Sequence, residues 1–207
     1  MVIGLLTITS IPTVAGIALG VREQRNQNSQ RADARRMAKF NIDAYCEANS
    51  EKAKEVQGKR VVLKDNKVYL DDPHPSLRKE ATAYTALAFY IGYPDDDRKR
   101  GDGLVTSVSD NPPMLNWIYV DKNSLELKYG NRSQSIEHLV GHWDWTKDET
   151  GITLEGEELF AAVEEEPGVW ALYCDCYRDG LAGIAQTGKT VVEISLDRSL
   201  VEGEKDK

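Results

Sequence analysis

The sequence predicts a mainly β protein: an antiparallel meander closed or nearly closed into a barrel or sandwich, preceded by an N-terminal apolar helix and a polar helical neck. Three observations carry this. Met1 to Gly20 contain no charged side chain. Arg22 to Lys39 carry six Arg or Lys and two Asp or Glu. From Phe40 onward, short apolar runs alternate with turn-forming residues, the pattern of an all-β sandwich or barrel. The chain divides accordingly into an apolar segment over 1–20, a basic helical neck over 21–38, a β-rich body over 39–200 and a disordered acidic and basic tail over 201–207.

The apolar segment has the length of a membrane helix, about 20 residues. Thr7, Thr9, Ser10 and Thr13 dilute it, and Pro12 would kink it, which membrane helices tolerate. Gly16-Ile-Ala-Leu-Gly20 offers a small-residue face for helix packing. A cleaved signal peptide is the main rival, but no Lys or Arg precedes the run and Ala15-Gly-Ile-Ala18 misses the A-x-A spacing. A third reading is an arm packed on the protein itself or on a partner. An anchor with all its positive charge on the C-terminal side leaves the body in the cytosol. The alternatives are a soluble cytosolic protein, or a secreted one if the segment is a cleaved signal. The odd count of three cysteines, Cys46, Cys174 and Cys176, fits a reducing compartment. Asn131-Arg-Ser133 is a glycosylation sequon that matters only for a lumenal body.

The neck carries +4 of a net charge of −8, so the remainder carries −12. So acidic a body excludes nucleic acid as a partner, because phosphate backbones require a basic face. Membrane lipid is the expected partner of residues 1–39, since each basic residue near anionic headgroups contributes about 1 kcal/mol. A protein partner or a homo-oligomer is also compatible with the pattern.

The elements follow in order. Arg22 to Ala38 is rich in helix formers but has no amphipathic stripe, so it is read as an exposed helix with nothing apolar to dock. The period changes at Phe40: Phe40, Ile42, Ala44 and Cys46 alternate with polar residues and predict a strand. Arg60 to Leu70 is a hairpin about Asp65-Asn66, residues that accept positive φ. Ala86 to Tyr93 is a strand ended by Pro94. Asp95 to Pro113 is read as a long polar loop with a short strand at Leu104 to Val108. Met114–Val120 and Leu125–Tyr129 pair across Asp121 to Ser124. Further strands are expected at Trp143–Trp145, Ile152–Leu154, Glu158–Val163, Val169–Tyr177 and Thr190–Ser195, with Glu165-Glu166-Pro167-Gly168 as a turn. No internal repeat of 20–50 residues stands out.

Several of these runs carry a resemblance: Asn111-Pro-Pro-Met-Leu-Asn-Trp-Ile-Tyr-Val-Asp121, Lys128-Tyr-Gly-Asn-Arg-Ser133, Trp143-Asp-Trp-Thr146, Thr153-Leu-Glu-Gly156, Val163 to Tyr173 and the N-terminal Ile8 to Val14 with its basic neck. Together they resemble a family of uncharacterised filamentous-fungal proteins with no assigned activity. The resemblance implies a source and an architecture, and no catalytic residue.

Four groups of residues invite a chemical reading. His138 and His142, four apart in Glu137-His-Leu-Val-Gly-His-Trp-Asp144, can share one face, but the spacing is not HExxH and no third metal ligand is evident. Trp143 and Trp145 share a face of their segment beside polar residues and are a candidate platform for a sugar or flat ligand. Cys174 and Cys176 are read as free thiols on the inner face of a buried strand. Asp95–Asp97 and Glu164–Glu166 offer adjacent carboxylates, usual on solvated turns. No GxSxG, Walker A, GxGxxG or Cys-x-x-Cys occurs, so catalytic residues remain unknown, and no metal or cofactor is expected. Trp170, in the strongly β-prone Val169 to Tyr173, is expected in the core.

The functional expectation is a membrane-tethered, cytosol-facing β-domain acting as a binding or scaffolding module, not clearly an enzyme. The alternative is a small-ligand-binding or enzymatic barrel whose site lies at the mouth, near Trp143, His142 and the 95–113 loop. Its ligand-binding residues would be Trp143, Trp145, His138 and His142.

Overall fold

Side-chain alternation fixes the first strand of the body. Phe40, Ile42 and Ala44 are buried while Asn41, Asp43 and Tyr45 face outward, giving β1 (Phe40–Tyr45). The structure, a computed structural model, describes residues 11–47, 49–79, 82–110 and 113–201, and the side chains of all of these except 11–22, 108–110 and 113. The expectations for residues 1–10 and 202–207 lie outside the described residues. Helix α1 (Ile11–Met37) precedes the body, and every residue from Glu23 to Arg35 along it is exposed. Among the described residues, no helix is long and apolar enough to cross a membrane.

Short helix α2 (Glu51–Val56) follows β1. Ser50 caps it by accepting a hydrogen bond from the Ala53 amide, and Ala53 and Val56 enter the core. The expected hairpin is β2 (Arg60–Lys64) and β3 (Lys67–Asp71). Its turn residues Asp65 and Asn66 both take positive φ, 49° and 61°, as a two-residue turn matched to strand twist demands. Next come β4 (Tyr84–Thr85), β5 (Leu87–Gly92), β6 (Asp102–Asp110), β7 (Pro113–Val120) and β8 (Leu127–Gly130). After α3 (Arg132–Ser135), capped by Asn131, the chain forms β9 (Trp143–Trp145), β10 (Ile152–Leu154), β11 (Phe160–Glu166), β12 (Val169–Cys174), the turn of helix α4 (Ala182–Ala185) and β13 (Val191–Leu200).

The main sheet has eleven antiparallel strands and closes on itself in part. The pairs β1–β13, β13–β11, β11–β12, β12–β3, β3–β2 and β2–β1 complete a ring of six strands. A meander of β5 to β8 leaves this ring at β1 and rejoins it at β3. β9 and β10 form a separate two-stranded ribbon. The principal core joins all these parts: Phe40, Tyr90, Trp143, Phe160, Trp170 and Leu172 are each fully buried.

Two expectations need correction. The region read as a long loop over 95–113 contains nine-residue β6, so the irregular part ends at Gly101. The short strand expected at Leu104–Val108 extends at both ends, through Asp102-Gly103 and Ser109-Asp110, whose loop-like composition masked it, and Leu104 and Thr106 are buried between β5 and β7. Within the remaining loop, Asp95 is ion-paired with both Arg98 and Arg100, so it organises a turn. The cysteines also differ from expectation. Cys174 and Cys176 are joined by a disulfide, and only Cys46 is free. β12 ends at Cys174, so Cys176 lies beyond the strand and can turn back to meet it.

Candidate functional site

The residues proposed from sequence do not gather into one pocket. Trp143 is fully buried and its ring stacks on Phe160 at 6.0 Å between centroids. It is therefore a core side chain, and its reading as a ligand platform at the barrel mouth is overturned. The shared face of Trp143 and Trp145 is real, but it is the inner face of ribbon β9–β10, which lays both rings on the core.

His138 and His142 are also separated by their partners. His138 stacks on Tyr119 at 5.1 Å, and its Nδ1 accepts a hydrogen bond from the Lys122 amide at 3.3 Å. His142 Nδ1 accepts from the Asp102 amide at 3.1 Å, and its Nε2 lies 3.5 Å from Asp144 Oδ2. The approach at His142 is close enough to require glycine: a Cβ on Gly101, whose φ is +71°, would stand 2.3 Å from His142 Nδ1. Among the described residues, no group of three or more His, Cys, Asp and Glu is placed to hold a metal ion.

Trp145 and its surroundings do form a site, built where the neck meets the body. Arg36, in the last turn of α1, places its guanidinium 4.7 Å from the Trp145 ring centroid, and Arg198 of β13 places its own at 4.3 Å. Arg36 also ion-pairs with Asp102 at 2.8 Å and with Asp144 at 3.0 Å. Tyr90 meets Trp145 edge-on at 5.4 Å and donates its hydroxyl hydrogen to the Asp144 carbonyl at 3.2 Å. Burial pushes the Tyr90 hydroxyl pKa well up, so Tyr90 stays a neutral donor. Burial lowers Arg198 from its ordinary value. Arg35 extends the contact by pairing with Glu149. Two guanidiniums already occupy the π surface that a flat ligand would need, so the arrangement works as a clamp between helix and body.

Beside this clamp an open groove of about 330 Å³ runs past His142, Asp144, Trp145, Thr153 and Glu157. Sequence reasoning named its Trp and His but missed Arg36, Arg198 and Tyr90. The available signal was the Arg35-Arg36 pair immediately before the first strand.

A second polar cluster joins three hairpins. Lys67 Nζ pairs with Glu126 at 2.7 Å and also with Glu165, while Tyr173 donates to Glu165 at 2.7 Å. Lys128 pairs with Asp121 at 2.8 Å and Glu126 at 3.1 Å. Burial alone would raise Glu126, but hydrogen bonds from Lys67, Lys128 and Ser124 outweigh it and hold its pKa at about 2. Asp121 is likewise raised by burial and lowered more by Lys128 and the Asn123 and Ser124 amides, to about 2. Every charge here has a partner, so the cluster ties β3, β8 and β11 together and offers no free acid or base.

A family model described as a fungal beta-trefoil domain matches residues 16–202. No curated protein and no solved structure matches the chain.

Proposed function

This chain belongs to the fungal beta-trefoil domain family, and from that premise we propose that it is a binding or scaffolding module carried on a helical neck. The observation that carries this is the filled interior. Phe40, Tyr90, Trp143, Phe160 and Trp170 occupy the core, and a cavity against Val62, Leu70 and Val169 holds only about 10 Å³. An enzyme or small-ligand carrier of ordinary kind has a concave pocket of about 300–1,000 Å³ with mostly apolar walls. The grooves at Trp145 and elsewhere are open and of mixed polar and apolar lining, which suits contact with a macromolecular surface.

The second part of the proposal is location: residues 1–20 tether the protein to a membrane, and the body faces the cytosol. The uncharged first twenty residues support the tether, and the exposed polar run from Glu23 to Arg35 suits a spacer between bilayer and body. The one-sided basic flank supports the cytosolic face. The Cys174–Cys176 disulfide argues for an oxidising compartment. It spans a sequence separation of only two, so it constrains the unfolded chain little, and we give the flank more weight.

Fractionation of tagged protein with and without residues 1–20 tests the tether. The full chain should sediment with membranes and the shortened chain should not; equal partition of the two ends this part of the proposal. Endoglycosidase should leave the mobility of the native protein unchanged, and a glycan on Asn131 would place the body on the other side.

A further inference from the structure

Strand β13 changes partner along its length. Residues 195–200 pair with β1, and residues 191–194 pair with β11. In an antiparallel sheet the backbone N–H and C=O groups of successive residues point to opposite sides of the strand. The even-numbered residues of this stretch point away from β1: the Thr190 carbonyl accepts from the Glu164 amide at 2.9 Å, and the Arg198 amide donates to the Thr150 carbonyl at 2.7 Å. The odd-numbered residues point towards β1, as the Val201 amide does in donating to the Lys39 carbonyl at 3.2 Å. But β1 ends at Tyr45, opposite Ser195. Its continuation turns away towards α2: the Cys46 amide donates to the Gln57 side chain at 2.7 Å, and the Asn49 amide to the Glu47 carbonyl at 2.7 Å. The amides and carbonyls of Val191 and Glu193 therefore face a place in the sheet that no described strand fills.

That place is a groove of about 620 Å³ between the start of β13 and the approach to α2. Its charge is one-sided. Glu47, Glu158 and Glu193 line it, and no Lys, Arg or His does. None of these three carboxylates forms an ion pair with a described residue. The lysines of neighbouring α2 are already committed, Lys52 to Glu164 at 2.6 Å and Lys54 to Glu51 at 2.7 Å. Burial and the charges of Asp197 and Asp148 hold Glu158 above its ordinary pKa, so negative charge gathers here with no cation to answer it. A second copy meeting this edge with its own would bring the same carboxylates, and like charges opposite one another destabilise a strand pair. A basic strand brings the opposite charge.

We propose that the free edge of β13 at Val191 and Glu193 docks an extended basic segment of a partner protein, which adds to the sheet in line with β1 and sets Lys or Arg side chains against Glu193 and Glu47. Main-chain hydrogen bonds to the edge supply affinity, and side chains at alternate positions supply selectivity. The proposal rests on the binding-module reading and gives its partner a chemistry.

The test is amide hydrogen exchange, followed by NMR on ¹⁵N-labelled full-length protein. Without a partner, Val191 and Glu193 should exchange fast, and Val192 and Ile194, bonded to β11, slowly. The probe is a short peptide of alternating Lys and Val, with a peptide of alternating Glu and Val as its counterpart. The Lys peptide should slow exchange at Val191 and Glu193 saturably, by at least about tenfold, and the Glu peptide should not. A Glu47→Gln/Glu193→Gln double variant should bind the Lys peptide about fivefold more weakly, through loss of two opposite-charge pairs. Both side chains are exposed, and unchanged exchange in the core strands checks the fold of the variant. Slow exchange at Val191 and Glu193 in the free protein, no saturable protection by the Lys peptide, equal protection by the Glu peptide, or unchanged affinity in the double variant each overturns the proposal. Failure of the binding-module reading looks different: a small ligand entering the interior would shift the amides of core residues such as Tyr90 and Trp170, which these peptides should leave in place.

Discussion

Replacing Trp143 by Ala separates a core residue from a ligand platform. The side chain is fully buried and its ring lies nearly parallel to Phe160, with 5° between planes. Truncating a buried Trp to Ala costs about 3–5 kcal/mol. Its indole N–H, however, has no acceptor among the described residues. Deleting an unsatisfied buried donor recovers part of its desolvation cost, so the expected loss sits near the low end, about 3 kcal/mol. With a urea slope of about 1–3 kcal/mol/M, the unfolding midpoint should fall by about 1–3 M with the slope unchanged. Trp143→Phe keeps an aromatic ring against Phe160 and removes the orphan donor. It should cost clearly less than Trp143→Ala, because the cavity it leaves is smaller. Urea unfolding followed by circular dichroism measures both. A Trp143→Ala protein within about 1 kcal/mol of the parent would refute the placement of β9 on the core, and with it the register Trp143↔Leu154.

Arg36→Ala should free the end of α1: amide exchange over residues 30–38 should rise, and stability should fall by about 1–2 kcal/mol through loss of its ring contact and part-buried ion pairs; unchanged exchange would mean the clamp does not hold the helix. Removal of residues 1–38 should leave a cooperative but lower melt, since Asp102 and Asp144 then lose Arg36 and Trp145 keeps only Arg198 of its two guanidiniums. Glu126 and Asp121 have folded pKa values near 2, below their ordinary carboxylate values. Their stabilisation is therefore complete above the unfolded pKa and lost as pH falls from about 4.5 towards 2. Glu126→Gln should flatten that acid limb of the urea midpoint, and an identical pH profile would count against the network. Asp197 is shifted the opposite way, raised by burial and by Asp148 and Asp43, so its ionisation opposes folding at neutral pH. Asp197→Asn should raise the urea midpoint at pH 7 and leave it unchanged well below the acid range; a loss at pH 7 would contradict the sign.

Much of the fold was legible because it rests on period and turn chemistry. Phe40, Ile42 and Ala44 alternate and are buried, and Asp65-Asn66 carries the hairpin turn. Gly168 takes φ +73° after Pro167, as the turn between β11 and β12 requires. β6 was read short because its ends, Asp102-Gly103 and Ser109-Asp110, resemble loop composition, whereas the pairing on both sides of the strand overrides propensity. Closure was expected from the run of short strands, but which strands meet to make it was not legible. It depends on β12 meeting β3 and β13 meeting β1, contacts far apart in sequence and absent from any local pattern.

The site was harder to read than the fold, for a reason particular to this chain. Trp143 and Trp145 differ by two residues and share one face, so alternation cannot tell which ring is enclosed; the ribbon's docking on the core decides it. The neck was expected to stay undocked because it lacks an apolar stripe, and that criterion measures only hydrophobic docking. α1 docks through its last turn, where the Arg36 guanidinium covers an aromatic ring while meeting two carboxylates and Arg35 pairs with Glu149. Such a contact leaves no periodic trace, because a single turn supplies it and its partners come from β6, β9 and the turn after β9. The same holds for the cluster of Lys67, Glu126, Lys128 and Glu165, whose members come from β3, the turn before β8, β8 and β11. Charge held at one point in space, and drawn from distant points in the chain, is what the sequence pattern hides and what the closed sheet assembles.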